Sequence, residues 1–264
     1  MYQTDGKLYQ TKWQATLASE TNLSKISLPS SAPSFSVSSQ VGEKLDSISP
    51  EDEPEMRVVT CGPSDSKRIA LTFDDGPQPR LTAQVLEILR NRKVKATFFV
   101  LGKCVKQHPE ILRQVAAEGH EIGNHTYDHR LLAGMSDEQI ERQITETQAE
   151  IKSAIGEEPR IFRPPYGVLR VNSKAILADH HMNAVLWSVD PRDWRVRNRD
   201  KILHAVTNHV QNGSIVVCHD IYQTTVDALP EMIDALQAAG YELTTVSQLC
   251  GFSSPKLAAA SKSF

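Results

Sequence analysis

The feature that most constrains this chain is a rhythm: from Lys67 onward, short apolar runs alternate with amphipathic stretches of helical period. Such alternation is the mark of βα units, and it predicts strands over 68–73, 96–101, 120–125, 160–163, 184–189, 214–219 and 241–245. The helices between them are punctuated. Leu81, Val85, Ile88 and Leu89 mark one apolar face, Pro109 opens a helix that Gly119 closes, and Ser136-Asp137-Glu138-Gln139 has the form of a capping box. Ile140, Ile144, Ile151 and Ile155 follow as a stripe ending at Gly156, while Pro230 either starts or kinks the last helix. Seven βα units fit an open doubly wound sheet or a closed barrel. In both, reactive groups collect at the carboxyl ends of the strands.

Composition matters where this rhythm is missing. Residues 1–66 have no sustained period; serines crowd 19–49, and the acidic knot Glu51-Asp52-Glu53-Pro54-Glu55 helps give the segment nine acids against five bases. Too little apolar surface is available there to offset the entropy of ordering. The expected division is a Ser-rich, acidic linker or stalk over 1–66, a folded domain over 67–252 and a tail over 253–264. The residues after 66 hold 23 acids and 24 bases, so the net charge of −3 belongs to the leader and the folded body is near neutral. That balance argues against nucleic acid as the partner. No run approaches the roughly 20 apolar residues that span a bilayer, and Met1-Tyr2-Gln3-Thr4-Asp5-Gly6-Lys7 lacks a signal-peptide core. As written the chain reads as soluble, although a removed leader could have preceded it.

The strand ends carry chemistry-bearing residues. After the first strand comes Asp74-Asp75-Gly76-Pro77, which can be read as a plain turn, or as one carboxylate that binds a cation beside another that accepts a proton. The third strand ends in His125-Thr126-Tyr127-Asp128-His129, whose spacing places both imidazoles on one side of a helical turn. With a carboxylate from another strand they make a three-ligand set with room for water, the open coordination of catalytic zinc. In Arg163-Pro164-Pro165-Tyr166-Gly167 the prolines lack N–H groups, so the first free donor is the Tyr166 amide in a stiff frame, able to stabilise an oxyanion. Alone, Trp194 would be packing and His219 a structural histidine. With an acidic partner, however, His219 is what a general acid near neutral pH requires.

Together Thr72-Phe73-Asp74-Asp75-Gly76, His125-Thr126-Tyr127-Asp128-His129, Arg163-Pro164-Pro165-Tyr166-Gly167, Asp190-Pro191-Arg192-Asp193-Trp194 and Val217-Cys218-His219-Asp220 resemble the five ordered motifs of the carbohydrate esterase family 4 polysaccharide deacetylases, or NodB-homology domain, over roughly residues 67–252. The resemblance implies an α/β fold: a distorted (β/α)7 barrel with a shallow groove for a polymer. It implies Asp75, His125 and His129 as ligands of one divalent metal, zinc being usual, with cobalt, nickel and manganese as alternatives. It further implies Asp74 as general base paired with Arg163, His219 as general acid paired with Asp193, and the Tyr166 amide on the oxyanion. Trp194, Pro164 and Pro165 fall to substrate binding, and Val217 to the acetyl pocket. The implied reaction removes N-acetyl groups from a polysaccharide containing N-acetylglucosamine, peptidoglycan foremost, and releases acetate. The implied protein is a monomer with an N-acetylated glycan as partner, working in the cell wall or periplasm or secreted. Arg130 and Cys218 depart from the commoner proline and leucine, which touches the shape of the groove and leaves the chemistry intact.

Cys61, Cys104, Cys218 and Cys250 show no Cys-x-x-Cys spacing. Cys61 and Cys250 flank the folded body, whose ends meet in a closed barrel, so a disulfide between them stands as one expectation beside four reduced thiols. Rival readings are a chitooligosaccharide or acetyl-xylan deacetylase, a small-amide amidohydrolase, and a non-catalytic carbohydrate-binding module on the same scaffold. The last predicts the loss of a ligand, base or acid, and none is lost.

Overall fold

The computed structural model describes residues 56–252. The expectations for residues 1–55 and 253–264 lie outside the described residues.

The described strands are β1 (Val58–Val59), β2 (Arg68–Asp74), β3 (Thr97–Val100), β4 (Glu121–Asn124), β5 (Ile161–Phe162), β6 (Asn183–Val185), β7 (Ile215–His219) and β8 (Glu242–Thr244). They form one sheet in the order β1-β6-β5-β4-β3-β2-β7, with parallel pairing throughout. The sheet curls closed where Val189 makes a parallel bridge with Val216 and the Val217 N–H donates to the Val189 carbonyl at 3.0 Å. Its distortion has a visible source in β2. Thr72 to Asp74 pair with β3, whereas Arg68 to Ala70 pair with β8, so two strands share one side of β2. This is the expected distorted (β/α)7 barrel, with one strand added.

That added strand is β1, inside the segment read as irregular from sequence. Val58 and Val59 pair with Ala184 and Val185, and Cys61 bridges Ser214, so the folded body begins before residue 67. A two-residue strand is too short to show a period. The expected strand over 184–189 is also divided: pairing stops at Val185 and resumes only at the Val189 bridge.

The helices are α1 (Pro79–Asn91), α2 (Gly102–Gln107), α3 (Pro109–Ala117), α4 (Asp137–Ile155), α5 (Val171–Asp179), α6 (Asp193–Val196), α7 (Arg199–Thr207), α8 (Gln223–Ala238) and α9 (Val246–Cys250). On β2, Ile69, Leu71 and Phe73 face the helices and join Val85, Leu86 and Leu89 in the larger core; Ala70 points inward to a smaller one with Phe99, Ile161, Val185 and Ile215. Each large apolar side chain so buried contributes about 1.5–3 kcal/mol. Thr72 and Asp74 share the inward face with Ala70, since side chains alternate along a strand. The barrel is therefore apolar below and polar at its carboxyl rim.

Local signals behave as their chemistry demands. Ser136 Oγ accepts the Gln139 N–H and Gln139 Oε1 accepts the Ser136 N–H, completing the capping box of α4, and Gly156 ends that helix at φ 81°. Helix α8 runs through Pro230, its buried Leu229, Met232 and Ile233 offsetting the lost hydrogen bond. All four cysteines are free, exposed Cys61 and buried Cys250 included, so the expected disulfide is not formed. No helix among the described residues is long and apolar enough to cross a membrane.

Candidate active site

Two carboxylates leave the end of β2 in different settings. Asp74, its last residue, is 3% exposed and faces inward. Arg163, at the end of β5 and fully buried, donates from Nη1 to Asp74 Oδ1 and to Thr72 Oγ1, both at 2.7 Å. Its remaining nitrogens are spent on the Val185 and Leu186 carbonyls, and its plane lies over the Phe99 ring. Burial pulls the guanidinium below its ordinary value and the charge of Asp74 holds it up, so each ion is the condition for keeping the other buried. Asp75 turns away with φ 77°, and its Oδ1 is buried without a hydrogen-bond partner.

That orphaned oxygen faces two imidazoles. His125 Nε2 lies 3.6 Å from Asp75 Oδ1, and His129 Nε2 lies 3.5 Å from the same atom. Nδ1 of His125 stands 2.7 Å from the Arg163 carbonyl, which can only accept, so the proton belongs on Nδ1 and Nε2 keeps its lone pair for the pocket. Burial and the neighbouring His125 both hold His129 below its ordinary pKa.

The histidines converge, but the helical turn expected between them is absent. They sit on an irregular loop after β4 in which Thr126 and His129 have φ 70° and 63°. Asn124 Oδ1 accepts the Thr126 N–H, and Gln143 of α4 accepts the N–H groups of Tyr127 and Asp128. Tertiary hydrogen bonds thus hold a left-handed backbone that costs of order 1–3 kcal/mol per residue.

The opposite wall belongs to β7 and α6. His219 ends β7 and its Nδ1–H donates to Asp193 Oδ1 at 2.7 Å. Asp193 is fully buried and also accepts from Trp194 N, His219 N and Thr225 Oγ1. Desolvation pulls the imidazole down, yet the hydrogen bond and charge of Asp193, with the charges of Asp74 and Asp75, prevail and raise it to about 9. His219 is a cation at neutral pH.

Tyr166 occupies a turn at φ 61°, and no group among the described residues accepts its N–H. Its ring meets that of His129 edge-on at 4.8 Å, and the side chain is 63% exposed. Trp194 is 47% exposed beside the Asp193–His219 pair. Val217 is buried one inward position below His219, level with Thr72. Pro164 and Pro165, expected at the substrate, are buried; they stiffen the Tyr166 turn and offer a ligand little surface. Sequence reasoning missed Thr72 and Thr225. Thr72 could have been found from its place two residues before Asp74 on the same strand face.

Asp75, His125 and His129 pass a direct test of fitness for a cation. Their donor atoms all lie within 4.8 Å of one another. Two ligands at ~2.0–2.1 Å from a tetrahedrally bound ion stand roughly 3.4 Å apart, close to the 3.5 and 3.6 Å seen here. A carboxylate oxygen buried with no donor among the described residues is a group that a cation would satisfy.

Fold and site together define a class: an α/β barrel whose carboxyl rim brings together three donors that could hold a cation, between an arginine-bound carboxylate and an aspartate-bound imidazole. The chain belongs to the polysaccharide deacetylase family, carbohydrate esterase family 4. The polysaccharide deacetylase family model matches residues 62–185. The chain is 41% identical over 204 residues to the peptidoglycan-N-acetylmuramic acid deacetylase PdaC of Bacillus subtilis, covering 75% of this chain and 43% of that protein. To the peptidoglycan-N-acetylglucosamine deacetylase PgdA of Listeria monocytogenes it is 37% identical over 246 residues, covering 91% and 52%. The chain therefore spans about half the length of these two relatives. A solved peptidoglycan N-acetylglucosamine deacetylase, in complex with 4-naphthalen-1-yl-N-oxidanyl-benzamide, matches with a TM-score of 0.72 at 35% identity, covering 74% of this chain and 92% of that one.

Proposed function

We propose that the chain is a metal-dependent deacetylase that removes N-acetyl groups from N-acetylglucosamine units of peptidoglycan, releasing acetate and leaving a free amine. The observation that carries this reading is the pocket of Asp75, His125 and His129 set between Asp74, bound by Arg163, and His219, bound by Asp193.

Asp75, His125 and His129 would hold a divalent ion, which would supply Lewis-acid chemistry towards the acetamide carbonyl and the attacking water. Two nitrogens and one carboxylate oxygen suit zinc. Asp74, bound by the Arg163 guanidinium at 2.7 Å, takes the proton of the attacking water as general base. The Tyr166 N–H, uncommitted among the described residues, donates to the oxyanion that develops on the carbonyl oxygen. His219, protonated at neutral pH, gives its proton to the departing nitrogen as general acid. Base and acid thus each have a separate partner, Arg163 for Asp74 and Asp193 for His219. Trp194 walls the groove, and Val217 floors the space for the acetyl methyl.

PgdA and the structural neighbour are named for N-acetylglucosamine, which supports that sugar; PdaC is named for N-acetylmuramic acid, which makes the muramic unit the second reading. Peptidoglycan as substrate places the working protein outside the cytoplasm. The test is acetate release from peptidoglycan, chitin oligomers and acetylated xylan by chelator-stripped protein resupplied with zinc, followed by analysis of the deacetylated sugar. Glucosamine from peptidoglycan is expected. Muramic acid would favour the second reading, acetate from xylan alone would overturn the substrate, and no acetate from any polymer would favour a binding module.

A further inference from the structure

Directly after His219, at the carboxyl end of β7, lies a carboxyl group for which the mechanism has no use. Asp220 is fully buried. Thr82 Oγ1 donates to its Oδ2 at 2.5 Å, while among the described residues Oδ1 is buried without a hydrogen-bond partner and no arginine or lysine forms an ion pair with the carboxyl. Desolvation raises its pKa to about 7. A buried carboxyl with no cationic partner and one oxygen unpaired is unfavourable by itself, and such a group calls for a reason.

Its other neighbour supplies the reason. A Cβ on Gly76 would stand 2.4 Å from Asp220 Oδ2 and 2.6 Å from Oδ1, so the carboxyl is pressed against the Gly76 backbone where no side chain fits. Gly76 follows Asp75, and the opposite side of the turn is tied by the Leu101 N–H, which donates to the Gly76 carbonyl at 3.0 Å. Thr82 Oγ1 also accepts the Gln78 N–H at 2.8 Å, so one hydroxyl joins the carboxyl of β7 to the far end of the same turn. The segment from Asp75 to Gln78 is thereby held from both sides. This matters because Asp75 Oδ1 has no hydrogen bond among the described residues to fix its aim. The direction of that carboxylate depends on its backbone, already in the left-handed region at φ 77°.

We propose that Asp220 is a positioning residue for the cation pocket: its buried carboxyl, braced by Thr82, holds the Asp75-Gly76 backbone so that the Asp75 carboxylate faces His125 and His129. The inference rests on the reading of Asp75, His125 and His129 as metal ligands. Groups that orient a ligand from behind typically contribute 10–100-fold to metal affinity.

The test is zinc affinity of the chelator-stripped protein, measured by competition with a coloured chelator, in wild type, Asp220→Ala, Asp220→Asn and Thr82→Val, with melting curves of the metal-free proteins alongside. Asp220→Ala is expected to lose at least tenfold in zinc affinity, and Asp220→Asn, which keeps the shape and an oxygen for Thr82, to stay within about threefold of wild type. Zinc binding by Asp220→Ala within threefold of wild type would overturn the proposal, as would an Asp220→Asn that loses as much as the alanine variant. Should Asp220→Ala not fold, Thr82→Val decides: a several-fold loss supports the brace and full affinity overturns it. Failure of the wild type to bind zinc would instead overturn the ligand assignment itself.

Discussion

Asp74 and His219 are register partners on the adjacent parallel strands β2 and β7, so carboxylate and imidazole leave the barrel at the same level. Neighbouring strands stand roughly 4.8 Å apart, and each side chain has its own partner at 2.7 Å: Arg163 for Asp74 and Asp193 for His219. Against desolvation, the raised pKa of His219 follows from the hydrogen bond and charge of Asp193 in that pairing.

The first prediction concerns the acid. His219 has its pKa raised from 6.5 to about 9, so a reaction that needs its proton loses rate as pH rises through the alkaline side. Asp193→Asn removes the largest opposing charge and is expected to move the alkaline limb of kcat/KM downward by on the order of 1–2 pH units. The sign for stability is the same: a folded pKa above the unfolded one stabilises below pH 6.5, and that contribution is lost as pH rises through about 9. An unchanged limb in Asp193→Asn would contradict the assignment.

The second concerns the base and its arginine. Side-chain exposure is 0% for Arg163 and 4% for Asp74, so Arg163→Met leaves a buried, uncompensated carboxylate. The expected cost is about 3–5 kcal/mol. Adding Asp74→Asn removes that charge and should recover part of the loss, measured by urea denaturation. A double variant no more stable than Arg163→Met would mean that the charge is not what destabilises.

Much of this was legible in advance, for a physical reason. Asp74, Asp75, His125, Arg163 and His219 stand at or next to strand ends, and a strand end is a local property that an apolar run announces. What stayed hidden depends on distant partners. The left-handed backbone at Thr126 and His129 is held by Gln143, which the spacing of the two histidines does not reveal. Thr225 reaches Asp193 across 32 residues and Thr82 reaches Asp220 across 138, contacts with no local signature. Val58 and Val59 gain their strand only from β6.

The third prediction is acid sensitivity from a histidine remote from the reaction. His120, 7% exposed, accepts the Ala96 N–H on Nδ1 and meets Phe98 edge-on; burial lowers its pKa from 6.5 to about 4. The unfolded chain takes up this proton first, so stability is full above pH 6.5 and falls as pH drops towards 4. The loss is at most about 3 kcal/mol. Thermal melts across that range should show a step that His120→Gln diminishes; an identical acid profile in the variant would remove His120 as its source.

The fourth is local. Ser136→Ala removes one half of the capping box on α4, whose loop-facing Gln143 also holds the histidine loop. A loss of about 1 kcal/mol is expected by chemical denaturation. A change below a few tenths would mean that the exposed cap contributes nothing beyond water.

The most direct measurement of the central claim takes wild type, Asp74→Asn and His125→Ala, and records zinc bound per chain together with acetate released from an N-acetylglucosamine oligomer. Asp74→Asn is predicted to bind zinc as wild type does and to lose at least about 100-fold in hydrolysis, since general-base catalysis supplies factors of that order. His125→Ala is predicted to lose both. Near-full activity in Asp74→Asn, or undiminished zinc in His125→Ala, would contradict the division of labour between the two neighbouring carboxylates on which the proposed chemistry depends.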